Sequence, residues 1–313
     1  MKIHIELAEF PMQKNRIKVA ILGTGNIGTD LCERLLRDPD FEVVALVGRR
    51  SDSPGLENFQ GKVQNIIPNG INGLLDILEN IDGAFDATSA HDHAEHWNLL
   101  SSNGKWIIDL TPSKIGKPLV PELIDVIEKF ELIEELVANY SMVTCGGQSS
   151  APLLYAFAAH ASGISEVEVS SSIAALSAGP ATRRNIDEYI QATENLTELI
   201  TGCESVKAIL VLNPADPPIM MRTTVQMKIE SCNLNLIKEE VQHVVKRIQR
   251  YVPGYDVVVE PHMTSAGLIS ATTKVTGAGY ALPSYAGNLD IINAAAVETA
   301  RRHANQFSVK LGN

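Results

Sequence analysis

The chain has few cysteines, a deficit of positive charge and no long apolar run, and each shortage narrows what it can be. Four cysteines in 313 residues, Cys32, Cys145, Cys203 and Cys232, are scattered without a C-x-x-C pair. That argues against a dense disulfide framework or a cysteine zinc site, and favours free thiols in a reducing cytoplasm. Lysine and arginine total 26 against 37 aspartates and glutamates, a formal charge of −11. A chain this acidic lacks the basic face that nucleic acid requires, but a nucleotide can still be held by backbone N–H groups and a few arginines. No stretch approaches the roughly 20 apolar residues needed to span a bilayer, so no membrane partner is expected. Residues 1–14 carry Glu6, Glu9 and Pro11 and read as a short extension, not a secretory signal.

What remains is the composition of a soluble globular enzyme, 45% hydrophobic and 20% charged. Its length allows one large domain or two medium ones. Strand signals at 17–22, 42–47, 83–87, 106–110 and 142–144 alternate with helical patterns such as 27–37 and 121–130. This alternation predicts an α/β fold, a Rossmann-type doubly wound parallel sheet. After Cys145 the texture changes. Longer strands at 166–175, 208–212 and 223–229 accompany a helix at 234–250, which predicts a second α+β domain for catalysis and dimerisation. The expected division is 1–144 and 145–285. An alanine-rich final helix, about 289–303 within a terminal segment 286–313, is expected to pack back on the first domain.

Gly23-Thr24-Gly25-Asn26-Ile27-Gly28 is a G-x-G-x-x-G that follows a strand and opens a helix. In that setting the first glycine permits the turn, the second admits a pyrophosphate and the third allows close helix–strand packing. The helix start adds unpaired N–H groups for the phosphates. At the end of the second strand stand Arg49, Arg50 and Ser51, where guanidinium groups suit a 2′-phosphate better than a diol, so NADP is favoured over NAD. Asp52 is the alternative ribose contact.

Cys145 lies between a strand and a helix, followed by Gly146, Gly147 and Gln148, with Pro152 placed in the first turn of a helix whose interior is 153–161. A thiol just ahead of a helix N-terminus is expected below its usual pKa of about 8.5. The two glycines would leave room for substrate and for N–H donors to an oxyanion. Cys145 is therefore the candidate nucleophile. Cys32, Cys203 and Cys232 read as small buried apolar residues.

Nine strings in register make the chain resemble the acylating acetaldehyde dehydrogenases. They are Gly-Asn-Ile-Gly-Thr-Asp (25–30), Phe-Asp-Ala-Thr-Ser-Ala (85–90), Ile-Asp-Leu-Thr-Pro (108–112), Val-Thr-Cys-Gly-Gly-Gln (143–148) and Ser-Ala-Gly-Pro (177–180), followed by Thr-Arg (182–183), Asn-Ile-Asp-Glu (185–188), Val-Pro-Gly-Tyr (252–255) and Tyr-Ala-Gly-Asn-Leu-Asp (285–290). The resemblance implies oxidation of a small aldehyde with a nicotinamide cofactor and coenzyme A as co-substrate. It also implies attachment to a 4-hydroxy-2-oxovalerate aldolase. It places the acyl-thioester on Cys145 and the pyrophosphate turn at Thr24 to Ile27. Cofactor contacts fall on Ser177, Ala178, Gly179, Pro180, Ala181, Thr182, Arg183, Arg184 and Asn185, and on Asn288. From the residues alone, 177–185 is a Gly-Pro loop entering a helix at Thr182, with Arg183 beside it as an anion contact, or a plain helix cap.

Three departures mark a divergent member. Thr223 stands where the family has an aspartate thought to help deprotonate the cysteine. The stretch between Tyr255 and Val275 is shorter, and Arg49 and Arg50 replace a pattern that includes an aspartate. As substitute bases, Asp216 reads as a turn residue and His262 as either a base or a surface side chain. His91, His93 and His96 read as a solvated helix start, with no metal expected. The competing functions are an acyl-phosphate-reducing semialdehyde dehydrogenase and a non-catalytic nucleotide-binding subunit. A cytoplasmic homodimer is expected.

Overall fold

A computed structural model describes residues 16–124 and 126–311, and the expected extension at 1–14 lies outside them. The strands are β1 (Ile17–Leu22), β2 (Phe41–Val47), β3 (Asn65–Ile67), β4 (Gly83–Asp86), β5 (Trp106–Asp109), β6 (Lys117–Pro118), β7 (Asn139–Ser141), β8 (Ala161–Ser162), β9 (Glu166–Ala174), β10 (Val206–Asn213), β11 (Met221–Lys228), β12 (Ser231–Cys232), β13 (Tyr255–Met263) and β14 (Leu268–Val275). The helices are α1 (Asn26–Leu36), α2 (Pro54–Glu57), α3 (Ala90–Ser102), α4 (Cys145–His160), α5 (Pro180–Arg184), α6 (Ile186–Thr201), α7 (Leu234–Ile248) and α8 (Gly287–Leu311). Among the described residues no helix is long and apolar enough to cross a membrane.

Seven strands form a parallel sheet in the order β3-β2-β1-β4-β5-β7-β6. Its central strands are apolar almost throughout because both faces are covered. Val19 and Ile21 of β1 join the core shared with α1 and α8, while Ala20 and Leu22 join the opposite core with Leu74 and Leu100. A second sheet, β10-β9-β11-β14-β13, is antiparallel except for the β10–β9 pair. Its strands alternate, as one-sided burial requires. Met221, Thr223, Val225 and Met227 are buried beneath α4, while Arg222 and Lys228 are exposed. Helix α8 contacts α1 and β5 on one side and α4 and β14 on the other, so it joins the two sheets. A buried Arg34–Asp290 ion pair and Arg301, bonded to Asp38 and Asp40, hold it there.

Three local expectations are corrected. The described residues of 121–130 form no α-helix but two short 3-10 turns, Pro121–Leu123 and Glu128–Phe130, with Ile124 and Ile127 extended between them. Their apolar spacing reflects Leu123, Ile124 and Phe130 docking in the core, not a helical stripe. The strand expected at 142–144 ends at Ser141 instead, because Val143 adopts a φ of 60°. Pro152 lies inside α4, seven residues beyond its start at Cys145, because Thr144 caps the helix well upstream.

Candidate active site

The glycines of 23–28 divide their work as the turn requires. Gly23 has a φ of +105°, and a Cβ there would lie 2.5 Å from the Ala87 carbonyl oxygen. A Cβ on Gly28 would lie 2.1 Å from the Gly23 oxygen, so strand and helix meet at van der Waals limit. A Cβ on Gly25 meets nothing within 4 Å. The open space therefore sits over the start of α1, whose N-cap Gly25 offers no side-chain hydrogen bond to the first N–H groups. Thr24 Oγ1 and Ser53 Oγ, 2.9 Å apart, tie this turn to α2. A cavity of about 540 Å³ lies here, lined by Thr24, Gly25, Asn26, Ser53 and Gly55 and by Ala281 and Leu282 of a strap. The strap is held by Asp30 Oδ1, which accepts from the N–H groups of Ala281 (3.0 Å) and Leu282 (3.2 Å).

Arg49 and Arg50 emerge beyond β2 as exposed side chains, in ion pairs with Asp92 (3.6 Å) and Asp52 (3.2 Å). Pairs this exposed contribute little. Ser51 is exposed beside them.

In the loop before α6, Ser177 is buried with its hydroxyl donated to the Ala174 carbonyl at 2.8 Å. Ala178 is buried, and a Cβ on Gly179 would lie 4.0 Å from Asn26 Nδ2, which sets this loop against the glycine turn at 23–28. The helix expected from Thr182 starts at Pro180. The side chains of Pro180 and Ala181 lie outside the described set. Arg183 spends part of its guanidinium on its own loop. It donates to the carbonyls of Ala178 (3.0 Å) and Ala175 (2.9 Å), bracing its own loop. Thr182 is half-buried, Arg184 is exposed, and Asn185 is the N-cap of α6 without a capping bond. Asn288, in the first turn of α8, is buried and its Oδ1 has no hydrogen-bond partner among the described residues. An orphaned buried amide oxygen costs free energy unless a ligand supplies a donor. Together with the open turn at Gly25, it fits a dinucleotide.

Cys145 is the first residue of α4, preceded by its N-cap Thr144, whose Oγ1 accepts from Gly147 N at 2.8 Å. Val143, β-branched and left-handed, makes the sharp turn from β7 into this cap. Such a conformation costs on the order of 1–3 kcal/mol and needs support, here from Gln148 Nε2, which donates to the Met142 and Leu119 carbonyls. Cys145 is partly buried and packs against the cluster of Ile173, Ala178, Met221 and Ile291. Its Sγ lies 3.9 Å from Tyr189 Oη.

Two expectations for this site are revised. Burial pushes the thiol up to about 11, against the downward pull of Tyr189 and of the Gly146 and Cys145 N–H groups. Desolvation thus outweighs the helix end, and the resting thiol keeps its proton at neutral pH. Nor do the glycines form an open oxyanion pocket. The Gly147 N–H is consumed by the cap, and Cβ atoms at Gly146 and Gly147 would strike Tyr189 Oη (2.0 Å) and Leu196 (2.7 Å). The glycines admit those two side chains of α6.

Thr223 is fully buried on β11, its Oγ1 3.1 Å from Ser171 Oγ. His262 is exposed on β13, with Nδ1 2.9 Å from the Glu260 carbonyl, and Asp216 is exposed in a loop whose turn Asn213 holds, not Asp216. His93 and His96 are not a solvated helix start. Both are buried, with their Nδ1 atoms 2.8 Å from Asp86 Oδ2. His93 Nε2 is 3.0 Å from Asn139 Nδ2. Burial raises Asp86, but its bonds to the two histidines outweigh that and hold it far below the usual carboxylate range. Burial pushes neighbouring Asp109 up to about 6. Among the described residues no group of three or more His, Cys, Asp or Glu is arranged to hold a metal ion. Tyr189 and Ser171 were not singled out from sequence. The signal was the tyrosine directly after Asn-Ile-Asp-Glu, one residue beyond the matched string.

Known proteins resemble this chain along nearly its whole length. Residues 145–283 match the family model described as prokaryotic acetaldehyde dehydrogenase, dimerisation, and residues 18–132 match semialdehyde dehydrogenase, NAD binding domain. An acetaldehyde dehydrogenase of Spirochaeta aurantia is 45% identical over 95% of this chain and 98% of its own. One from Pectobacterium atrosepticum is 44% identical over 90% and 94%. Aspartate semialdehyde dehydrogenase of Candida albicans, solved with NADP, superposes with a TM-score of 0.61 at 12% identity, covering 92% of this chain and 99% of that one. At that identity the likeness speaks for the fold alone. With relatives this similar along nearly its whole length, the chain belongs to the acetaldehyde dehydrogenase family.

Proposed function

We propose that this protein is a cytoplasmic acylating acetaldehyde dehydrogenase, which oxidises a short aldehyde with a nicotinamide cofactor and transfers the acyl group from Cys145 to coenzyme A. The observation that carries the reading is the placement of Cys145, a partly buried thiol at the first position of α4. It packs on the cluster containing Ala178, whose neighbour Gly179 faces the phosphate turn.

The dinucleotide would be held by the N–H groups at Gly25 to Gly28, by the 177–185 loop and by Asn288, whose orphan oxygen calls for a donor. When bound, the nicotinamide supplies a hydride acceptor. The Cys145 thiolate attacks the aldehyde carbon to give a thiohemiacetal, and oxidation converts that adduct to a thioester. The thiol of coenzyme A then opens the thioester and frees Cys145. NADP is favoured because Arg49 and Arg50 are exposed at the end of β2, in weak ion pairs that a phosphate dianion would displace. An aldolase that delivers the aldehyde is the further partner we infer from the resemblance. We divide the chain into a dinucleotide-binding part, 1–144, and a catalytic and dimerisation part, 145–285, with the terminal helix bridging them.

The test is the acyl acceptor. Purified protein with acetaldehyde and cofactor should turn over with coenzyme A and not with inorganic phosphate. Turnover with phosphate alone would replace this reading by an acyl-phosphate-forming one, and tight nucleotide binding without turnover on any short aldehyde by a non-catalytic subunit. Cys145→Ser should keep fold and nucleotide binding but fall below about a hundredth of the wild-type rate, since loss of a nucleophile costs at least that much.

A further inference from the structure

Cys145 faces a buried line of hydroxyls drawn from three elements. Its Sγ is 3.9 Å from Tyr189 Oη in the first turn of α6. Tyr189 Oη and Ser171 Oγ on β9 converge at Gly146, and Ser171 and the Gly146 N–H each favour the ionised form of Tyr189. Ser171 Oγ lies 3.1 Å from Thr223 Oγ1 on β11, and these two residues are directly paired in the sheet. Ser171, Thr223 and Tyr189 are all buried. The line is built into the fold. Tyr189 is held by the Thr193 hydroxyl, which donates to its carbonyl at 2.8 Å, and Thr193 Oγ1 also meets Thr144 Oγ1 at 2.8 Å. Gly146 is there because a Cβ would lie 2.0 Å from Tyr189 Oη and 2.8 Å from Ser171 Oγ.

Each hydroxyl can both donate and accept, so the ends of the line decide which way its hydrogen bonds run. At the cysteine end the Gly146 N–H can only donate, and it favours the charged forms of both Cys145 and Tyr189. At the far end stands a threonine, which can donate to Ser171. Ser171 is then free to donate to Tyr189. With Ser171 donating to Oη, the phenolic proton is left for Sγ, 3.9 Å away. A carboxylate at 223 could only accept. It would draw the Ser171 proton, then the Tyr189 proton, away from the cysteine.

We propose that Tyr189 donates a hydrogen bond to the Cys145 thiolate, and that Ser171 and Thr223 are positioning residues that aim it. The proposal rests on Cys145 being the nucleophile, and it assigns a further catalytic residue to that reaction. The thiol proton leaves to solvent base, and the hydroxyl line itself carries no net proton. Burial in the apolar cluster opposes ionisation of Cys145, and a donor at Sγ offsets it in the way hydrogen bonding to a charged form does. Of the titratable groups nearby, Tyr189 contacts Sγ, while Tyr255 donates to the Ser149 carbonyl at 2.8 Å and so turns away. Among the described residues no charged side chain contributes to the Cys145 ionisation.

The experiment is the pH dependence of Cys145 alkylation by iodoacetamide on the full-length protein, followed by peptide mass so that Cys32, Cys203 and Cys232 are resolved. Tyr189→Phe keeps the ring and removes the donor. Its alkylation midpoint should rise by about one pH unit, corresponding to a roughly tenfold loss of thiolate at neutral pH. The kcat for aldehyde oxidation should fall by about the same factor, with the KM for cofactor unchanged. Thr223→Asp should raise the midpoint in the same direction, and Ser171→Ala should do so by less. If Thr223→Asp does not fold, Ser171→Ala and Tyr189→Phe still decide. A folded Tyr189→Phe with a wild-type midpoint overturns the proposal, even if its rate is lower, since a merely structural tyrosine would change rate without moving the titration. The nucleophile reading fails separately, if Cys145→Ser retains activity.

Discussion

A missing side chain can be as informative as a present one at the phosphate turn. Gly25 and Gly28 lie three residues apart, yet the same substitution should act through different states of the protein. Gly28→Ala places a Cβ 2.1 Å from the Gly23 oxygen, so it should lower the melting temperature and weaken cofactor binding together. Gly25→Ala meets open space, so thermal stability should stay within about 1 kcal/mol of wild type while cofactor affinity falls about tenfold or more. Thermal melts alongside cofactor titrations distinguish the two. Equal affinity in Gly25→Ala would mean that no pyrophosphate approaches that turn. Two loops away, Arg50 should select the ribose edge. A charge-assisted hydrogen bond to phosphate contributes about 1.5–3 kcal/mol, roughly a ten- to hundredfold preference for NADP. Arg50→Asp should reverse the order in kcat/KM, because its carboxylate repels phosphate and accepts from a 2′-hydroxyl. Equal values for both cofactors, unchanged by the substitution, would leave Asp52 as the ribose contact and NAD as the cofactor.

At the level of elements, what could be read from sequence depended on whether the signal was local. The β1–turn–α1 unit was legible because an apolar run, three glycines and a helix pattern are contiguous, and each has one physical task. The 121–130 segment was misread because side chains docking into a core at irregular spacing can imitate a helical stripe. Tyr189, Ser171 and Thr223 are far apart in sequence, and only the pairing of β9 with β11 and the packing of α6 on α4 bring their hydroxyls into line. The rise in the Cys145 thiol was likewise hidden, since burial is a tertiary property that no local helix-start rule contains. The misread segment also carries Glu122, buried where α7 and α8 converge. Arg247 Nε approaches its Oε1 at 2.8 Å, yet neither carboxylate oxygen gains a well-directed hydrogen bond. Burial lifts Glu122 from 4.5 to about 7 despite Arg247, Arg302 and Arg250. A carboxyl raised in this way contributes its stability fully below the unfolded value and loses it as pH rises through the folded one. Glu122→Gln should therefore gain in melting temperature relative to wild type between about pH 5 and about pH 8.5. A difference that is flat or falls across that range would contradict the assignment.

Over the whole molecule, one sheet is sealed on both faces and the other on one. The uncovered face of the second sheet carries Ser170, Ser172, Thr224 and Thr272, flanked by the exposed apolar Val211 and Val259. Residues 145–283 match a family model described by dimerisation, and a second copy of this chain is the partner expected on that face. Light scattering at micromolar concentration should give a dimer mass, and a monomer would count against it. Helix α8 reaches both sheets, presenting Asn288 at its first turn and Ile291 in the apolar cluster beneath Cys145. The glycine turn and the thiol are thus parts of one packed body, and the account depends on the acyl group residing on that thiol. The most direct test is mass spectrometry of the protein incubated with acetyl-CoA in the absence of aldehyde. The account predicts an acetyl adduct on the peptide containing Cys145, lost when coenzyme A is added in excess and absent in Cys145→Ser. An unmodified Cys145, or an adduct that persists in Cys145→Ser, would contradict it.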